Sequence, residues 1–116
     1  MTTHDAQMLK GVISLLLLDL VASREDYGYS LVVRLHDAGL TGLTEGTVYP
    51  ALARIEQAGW VASFLVASEL GPARKYYRIT AAGNAERGRL RAAFDRLADL
   101  VQTLGGRASD RKREGK

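Results

Sequence analysis

The spacing of hydrophobic residues changes twice along this chain, and each change predicts a new kind of element. From residue 6 to about residue 22, apolar residues cover more than one face of a helix. A surface helix needs only one apolar stripe, so this first helix is expected to be covered from two sides. A second helix is predicted over residues 28–38, where Leu31, Val32 and Leu35 repeat at helical spacing.

A third helix is predicted between Thr44 and Gly59. Thr44 is a favourable N-cap, and Gly59, like Gly39 after the second helix, occupies the usual position of a C-terminal glycine. Pro50 lies past the first turn, where a proline is expected to kink or loosen a helix. The apolar stripe of this helix consists of Val48, Leu52 and Ile55.

After the third helix the hydrophobic period becomes that of strands. Residues 60–66 are β-branched and aromatic, and residues 75–80 alternate between apolar and polar. The Gly-Pro pair at residues 71–72 marks a loop over residues 67–73. These segments therefore predict a β-hairpin.

A long last helix is predicted from residue 81 to about residue 104, with Thr80 as its N-cap. At 1.5 Å per residue it would span roughly 36 Å, which is longer than the small body needs. Its apolar residues recur at alternating spacings of four and three, as in a heptad repeat, and this indicates a homodimer. The predicted dimer interface consists of Leu16 from the first helix and of Leu90, Phe94, Leu97, Val101 and Leu104 from the last.

The order of these elements predicts a mainly α fold with a small β-hairpin. Three helices followed by a two-stranded wing form the winged helix-turn-helix arrangement. Residues 6–80 are predicted to form this DNA-binding body, residues 81–104 the C-terminal dimerisation helix, and residues 105–116 a disordered basic tail.

The charge of the chain resides in its tail. The 116 residues carry a formal net charge of +3, and residues 105–116 hold five basic and two acidic side chains, so residues 1–104 are neutral. Bulk charge is therefore no argument that the body binds nucleic acid, and only the placement of particular basic residues can be one. The tail itself has two readings, an arm that follows DNA or a solubilising terminus.

The composition argues against a membrane protein and against an enzyme. The apolar run over residues 12–21 is shorter than the roughly 20 residues that a bilayer span needs, and no secretory signal is evident, so a cytoplasmic protein is expected. The chain has no cysteine and two histidines, and it lacks metalloprotease, phosphate-loop and nucleophile-elbow motifs. No catalytic residue, metal site or cofactor is expected.

The third helix and the wing carry the candidate DNA contacts. In a winged helix the third helix enters the major groove, where Thr47, Tyr49 and Arg54 could reach phosphates. Arg74 and Lys75 follow the Gly-Pro pair, with Tyr76 and Arg78 beside them, and such a basic hairpin suits flanking phosphates. Two simpler interpretations stay open. The residues of the third helix could serve only for capping and packing, and the charges of the wing could serve only to prevent its edge strand from pairing with another chain.

Several segments together resemble the PadR family of transcriptional regulators. They are GYSL at 28–31, EGTVYPAL at 45–52, RIE at 54–56, AGWV at 58–61 and RKYYRIT at 74–80. The resemblance runs in unbroken order from about residue 9 to about residue 104, and it covers the proline at position 50. The chain looks like the short form with a single C-terminal helix.

The resemblance implies a homodimeric repressor that binds a pseudo-palindromic operator in double-stranded DNA. Some short members of the family bind flat hydrophobic compounds between the subunits through an aromatic residue of the last helix. Here that helix offers Phe94 alone, so release by a small hydrophobic effector stays open. Residues 64–67 are also more apolar than in the family pattern. Carried over by position, the DNA-binding residues are Tyr29, Ser30, Thr47, Tyr49, Arg54, Arg74, Lys75 and Tyr76.

The sequence leaves one alternative function, a winged-helix module that binds another protein instead of operator DNA. The neutral body keeps this alternative open. The two functions differ in their response to salt, because a protein that neutralises several phosphates loses affinity steeply between about 50 and 200 mM salt.

Overall fold

The structure is a computed structural model and describes residues 5–107. The predicted basic tail lies outside the described residues from residue 108 onward. The chain forms helices α1 (Ala6–Ser23), α2 (Gly28–Asp37), α3 (Glu45–Gln57) and α4 (Ala81–Gln102), and strands β1 (Asp26–Tyr27), β2 (Val61–Ser68) and β3 (Gly71–Ile79). A π-helical turn (Thr103–Arg107) continues α4.

The core lies between the first three helices and one face of the sheet. Leu17 and Leu18 of α1, Leu31 of α2 and Leu52 of α3 have no exposed surface, and Tyr77 of β3 closes the sheet side. The apolar stripes predicted for α2 and α3 are buried. The fold is the predicted winged helix-turn-helix, mainly α with a small sheet, and a long C-terminal helix follows it.

Glycines end α2 and α3 in the predicted way. Gly39 and Gly59 have φ values of 100° and 82°, which residues with a Cβ rarely adopt. In each case the following residue donates its N–H back into the helix, from Leu40 to the Leu35 carbonyl at 2.9 Å and from Trp60 to the Ile55 carbonyl at 3.0 Å. Each closure satisfies carbonyls that the end of a helix otherwise leaves free.

The start of α3 agrees with the prediction in position but not in every detail. Thr44 is the N-cap, yet its side chain makes no capping hydrogen bond, and its carbonyl accepts from the Val48 N–H at 2.9 Å. The helix continues through Pro50 without ending. Pro50 lacks an N–H, so the carbonyl of Gly46 loses its usual partner within the helix.

The sheet has three strands rather than the predicted two, in the order β1-β3-β2. The predicted loop at residues 67–73 was wrong, because Gly71 and Pro72 lie in β3 and the hairpin turns at Glu69 and Leu70. The register shifts between Val66 and Ser68, and a proline is tolerated at such an irregularity because the ladder is already interrupted there. Two residues, Asp26 and Tyr27, make the third strand, which is too short to show a periodic pattern.

Helix α1 meets the length and apolarity that a membrane-spanning helix needs, the only one to do so in the part of the chain that the structure describes. The expectation from the sequence counted only residues 12–21, whereas the helix extends beyond that run at both ends. Its residues Ile13, Leu17 and Val21 are buried in the winged-helix core. Core helices of globular proteins meet the same criterion.

Two ion pairs join α1 to α4. Asp19 of α1 accepts hydrogen bonds from the Arg87 Nε, at 2.6 Å, and from Arg91. Both arginines of α4 therefore turn towards α1. Arg89 bonds Glu86 of its own helix instead.

Beyond Arg91, the apolar stripe of α4 is largely uncovered. Phe94, Leu97 and Val101 are 42%, 60% and 62% exposed, and Leu104 is 76% exposed. Leu90 and Leu16, by contrast, are half-buried beside the core. An exposed apolar stripe of this extent on a single chain is the expected mark of an interaction surface.

Candidate nucleic-acid interface

Six of the eight predicted DNA-facing residues line two clefts, one on each side of α3. The first cleft has a volume of about 530 Å³ and lies between the start of α2, α3 and the free edge of β3. It brings together four of the eight predicted residues. Its lining consists of Tyr29, Tyr49, Arg74 and Lys75, with Tyr27, Gly28 and Tyr77.

Gly28 makes this cleft possible. A Cβ at position 28 would clash with the ring of Tyr49, whose Cζ atom would lie 3.2 Å away. The absence of a side chain lets the Tyr49 ring lie directly against α2. Burial, followed by the charge of Glu45, raises the pKa of Tyr49, so its phenol stays protonated and can donate a hydrogen bond at neutral pH.

Arg74 lies over the ring of Tyr27, with its Cζ atom 4.5 Å from the ring centroid. It forms no ion pair with any residue between 5 and 107. A cation held over an aromatic ring keeps its charge while its position is restricted. Arg74 is therefore available to an anion at the rim of the first cleft.

Lys75 points to the opposite face of β3 from Arg74. Its Nζ lies 3.1 Å from Oε1 of Glu56, and this hydrogen bond raises the pKa of Lys75. The sequence predicts Arg74, Lys75 and Arg78 as one basic group on the hairpin. Strand alternation instead divides them between the two faces of β3, with Arg74 and Arg78 on one face and Lys75 on the other.

Tyr76 lies in an aromatic row on the outer face of the sheet. Its ring centroid is 5.3 Å from that of Tyr27 and 5.9 Å from that of Phe64, and the Arg78 Cζ lies 5.7 Å from the Phe64 centroid. The side chain is half-buried. Tyr76 does not line either cleft.

The second cleft, of about 260 Å³, lies between α1 and the outer side of α3. It brings Thr47 and Arg54 together with Lys10, which is the only basic residue of α1. Neither Lys10 nor Arg54 has an ion-pair partner in the described part of the chain. Sequence reasoning missed Lys10, because nothing in the pattern of α1 indicates which residue of α3 it meets.

Ser30 lies in the first turn of α2 and lines neither cleft. Its hydroxyl donates to Oδ2 of Asp26 at 2.7 Å, and the same oxygen accepts from Arg34 at 3.0 Å. Burial alone would raise the pKa of Asp26, but hydrogen bonds from Ser30, from the Tyr27 N–H and from Arg34 hold it below its ordinary value. Asp26, which the sequence did not single out, thus fixes β1 and the start of α2 beside the first cleft.

Comparison with known proteins agrees with this architecture. The model of the transcriptional regulator PadR-like family matches residues 17–89. The structure of a PadR-like transcriptional regulator from Bacillus cereus is 37% identical with a TM-score of 0.75, and the match covers 84% of this chain and 95% of that one. A PadR family regulator from Eggerthella lenta is 32% identical with a TM-score of 0.78, over 84% and 85% of the two chains. No curated protein sequence matches the chain.

This chain belongs to the PadR-like family of transcriptional regulators. The resemblance inferred from residues 28–80 is thereby confirmed. As a PadR-like protein with a winged-helix body, it is a DNA-binding regulator, and its family is one of regulators rather than enzymes.

Proposed function

We propose that this PadR-like protein is a repressor that binds a pseudo-palindromic operator as a homodimer. One observation carries the proposal. The body is neutral, yet several of its cations have no acidic partner among the described residues, and they flank α3 on both sides, Lys10 and Arg54 on one side and Arg74 on the other. A helix in the major groove has a phosphate backbone on each side.

In this proposal the two clefts hold the backbone phosphates while α3 occupies the groove. Arginines and tyrosine hydroxyls donate to phosphate oxygens, and such contacts set the position of a protein on the duplex. Ser30 and Tyr76 lie outside the two clefts, at the start of α2 and on the outer face of the sheet, and are proposed as further contacts. The proposed DNA-binding residues are Tyr29, Ser30, Thr47, Tyr49, Arg54, Arg74, Lys75 and Tyr76.

The exposed stripe of α4 is the proposed dimer interface. A second copy that covers it would place two α3 helices on two half-sites, and the operator would share the two-fold symmetry of the protein. In this arrangement residues 6–80 act as the DNA-binding domain and residues 81–104 as the dimerisation helix. The interface consists of Leu16, Leu90, Phe94, Leu97, Val101 and Leu104.

A small hydrophobic effector would bind next to this interface. A groove of about 180 Å³ between α1 and α4 is lined by Leu15, Leu90, Phe94 and Leu97, among others. A ligand there would change the angle between the two subunits and hence the spacing of the two α3 helices. The proposed regulator is cytoplasmic and needs no cofactor.

The test is the binding of the protein to DNA from upstream of its own gene and of adjacent genes. We expect one fragment to bind specifically, with an affinity that falls about 10³- to 10⁵-fold between 50 and 200 mM salt if six to ten phosphates are contacted. Binding to a protein partner without any affinity for duplex would contradict the proposal. Adding hydrophobic small molecules to the bound fragment tests the effector.

A further inference from the structure

Glu56 joins three elements of the proposed DNA-binding surface. It lies near the end of α3 and accepts hydrogen bonds through both carboxylate oxygens. Oε1 lies 3.1 Å from the Lys75 ammonium of β3, and Oε2 accepts from the Ser63 hydroxyl of β2 at 2.5 Å. One side chain thereby ties both strands of the wing to the helix that enters the groove.

This cluster is not a major source of stability. The side chains of Lys75 and Glu56 are 50% and 32% exposed, and ion pairs at such exposure contribute little to folding because water and salt screen them. The cluster therefore acts mainly on the position of the wing relative to α3 and on the net charge around Lys75. Lys75 lines the first cleft together with Arg74, but only Arg74 faces that cleft without a carboxylate partner.

We infer that Glu56 is a positioning residue. It holds Lys75 and the wing against α3, and it weakens the charge that Lys75 presents to DNA. The inference rests on the proposed function. A Lys–Glu pair is neutral, so a phosphate that approaches it releases few counterions. If Lys75 left Glu56 for a phosphate, it would leave a carboxylate facing the negative backbone. The charge that Arg74 offers to DNA is therefore larger than the charge that Lys75 offers.

The salt dependence of DNA affinity distinguishes the role of Arg74 from that of Lys75. The slope of log affinity against log salt concentration is proportional to the number of phosphates that the protein neutralises. Binding of the upstream fragment is measured from about 50 to 200 mM salt for the unmodified chain, Arg74→Met, Lys75→Met, Glu56→Gln and the double variant Glu56→Gln/Lys75→Met. We expect Arg74→Met to flatten the log–log slope by about 0.9 per protomer, hence about 1.8 for a dimer on two half-sites, and Lys75→Met to flatten it by less than half as much. Glu56→Gln should steepen the slope by up to about 0.9 per protomer, and the double variant should lose that gain.

Ser63→Ala tests the positioning role without changing any charge. It removes one of the two wing contacts of Glu56, so affinity should fall while the salt slope stays as in the unmodified chain. Far-ultraviolet circular dichroism and thermal unfolding of every variant separate lost binding from lost folding. A folded Ser63→Ala variant with unchanged affinity contradicts the positioning role.

Equal flattening by Arg74→Met and Lys75→Met, with an unchanged slope for Glu56→Gln, would overturn the inference and place Lys75 directly on a phosphate. That result would leave the proposed function intact. The proposed function fails in a different way, when the unmodified chain shows no salt-dependent affinity for duplex, and the inference then fails with it.

Discussion

Two glycines of α4 lie in opposite surroundings, Gly83 in the first turn of the helix and Gly88 in its interior. A Cβ at Gly83 would clash with the Trp60 carbonyl and would lie 2.8 Å from Cγ1 of Ile79. A Cβ at Gly88 would meet nothing within 4 Å. The close approach at Gly83 lets α4 start directly against the sheet, where the Thr80 N–H donates to the same Trp60 carbonyl at 3.1 Å.

We predict that Gly83→Ala destabilises the protein by about 1–3 kcal/mol, because a backbone carbonyl cannot move aside as a side chain can. Gly88→Ala is the matched control. It should stabilise the protein by up to about 1 kcal/mol, since alanine is the better helix former. Urea unfolding at one protein concentration measures both values, and equal effects of the two substitutions would contradict the packing that the structure describes.

The buried carboxylate of Asp26 makes folding stability depend on acid pH. Its pKa is lower in the folded protein than in the unfolded chain, so ionised Asp26 stabilises the fold above its ordinary pKa of 3.8. This contribution is lost as the pH falls through the folded-state pKa. The hydrogen bonds from Ser30, Tyr27 and Arg34 are its physical source.

We predict that Asp26→Asn lowers the free energy of unfolding by about 1–3 kcal/mol at pH 7, because it leaves Arg34 without its carboxylate. The difference from the unmodified chain should shrink as the pH falls below the ordinary pKa of the carboxyl group. Asp37→Asn, at an exposed position of α2, should change stability at pH 7 by less than about 0.5 kcal/mol. A constant difference between pH 7 and pH 3 would argue against the titration of Asp26.

The meeting of α1 and α3 at the second cleft gives α1 a part in the proposed DNA contacts. Lys10 extends from α1 beside Thr47 and Arg54, so three side chains from two elements surround one cleft. Charges that lie side by side on one flank of a recognition helix are expected to neutralise neighbouring phosphates of the same strand. The first helix then serves both as a core element and as part of the binding surface.

We predict that Lys10→Met and Arg54→Met weaken operator binding to a similar extent and that each flattens the salt slope by about 0.9 per protomer, hence about 1.8 for the dimer. Arg96→Met is the control, since Arg96 is an exposed arginine of α4 outside both clefts. Fluorescence anisotropy at several salt concentrations gives the slopes. A Lys10 variant that behaves like the Arg96 variant would remove α1 from the binding surface.

At the scale of the whole molecule, the exposed stripe of α4 points to a dimer as the working unit. Leu97 lies in the middle of this stripe, is 60% exposed, and also lines the groove next to α1. A charge buried in an apolar interface costs far more than one in water. Two half-sites must be engaged together for high affinity, so loss of the dimer weakens DNA binding even when the winged-helix body is intact.

We predict that Leu97→Asp gives a folded monomer with poor affinity for the operator. Leu70→Asp is the matched control, because Leu70 is 99% exposed at the turn of the wing and lies far along the chain from the stripe. It should leave the oligomeric state unchanged. Sedimentation velocity checks both variants, and an intact dimer for Leu97→Asp would contradict the proposed interface.

The sequence by itself determined the helices, their ends and the apolar stripes. These features depend on neighbours within a few residues: the helical spacing in α2, the left-handed glycines at positions 39 and 59, and the heptad spacing of α4. The family segments between Gly28 and Thr80 also belong to this class. Gly28 begins the first of these segments and Gly83 lies just after the last, and only the structure shows that each permits one specific close contact.

Tertiary structure alone decided which distant residues meet. The pairing of Asp26 and Tyr27 with β3, the position of Lys10 beside Arg54, and the bonds from Arg87 and Arg91 to Asp19 join residues far apart in sequence. The same holds for the contact between Glu56 and Lys75. Because of this contact, Lys75 is paired with a carboxylate, whereas Arg74 stays available to an anion. Such contacts depend on how whole elements pack against one another. The hydrophobic periodicity of an element predicts which of its faces is buried, but not which residues of other elements it contacts.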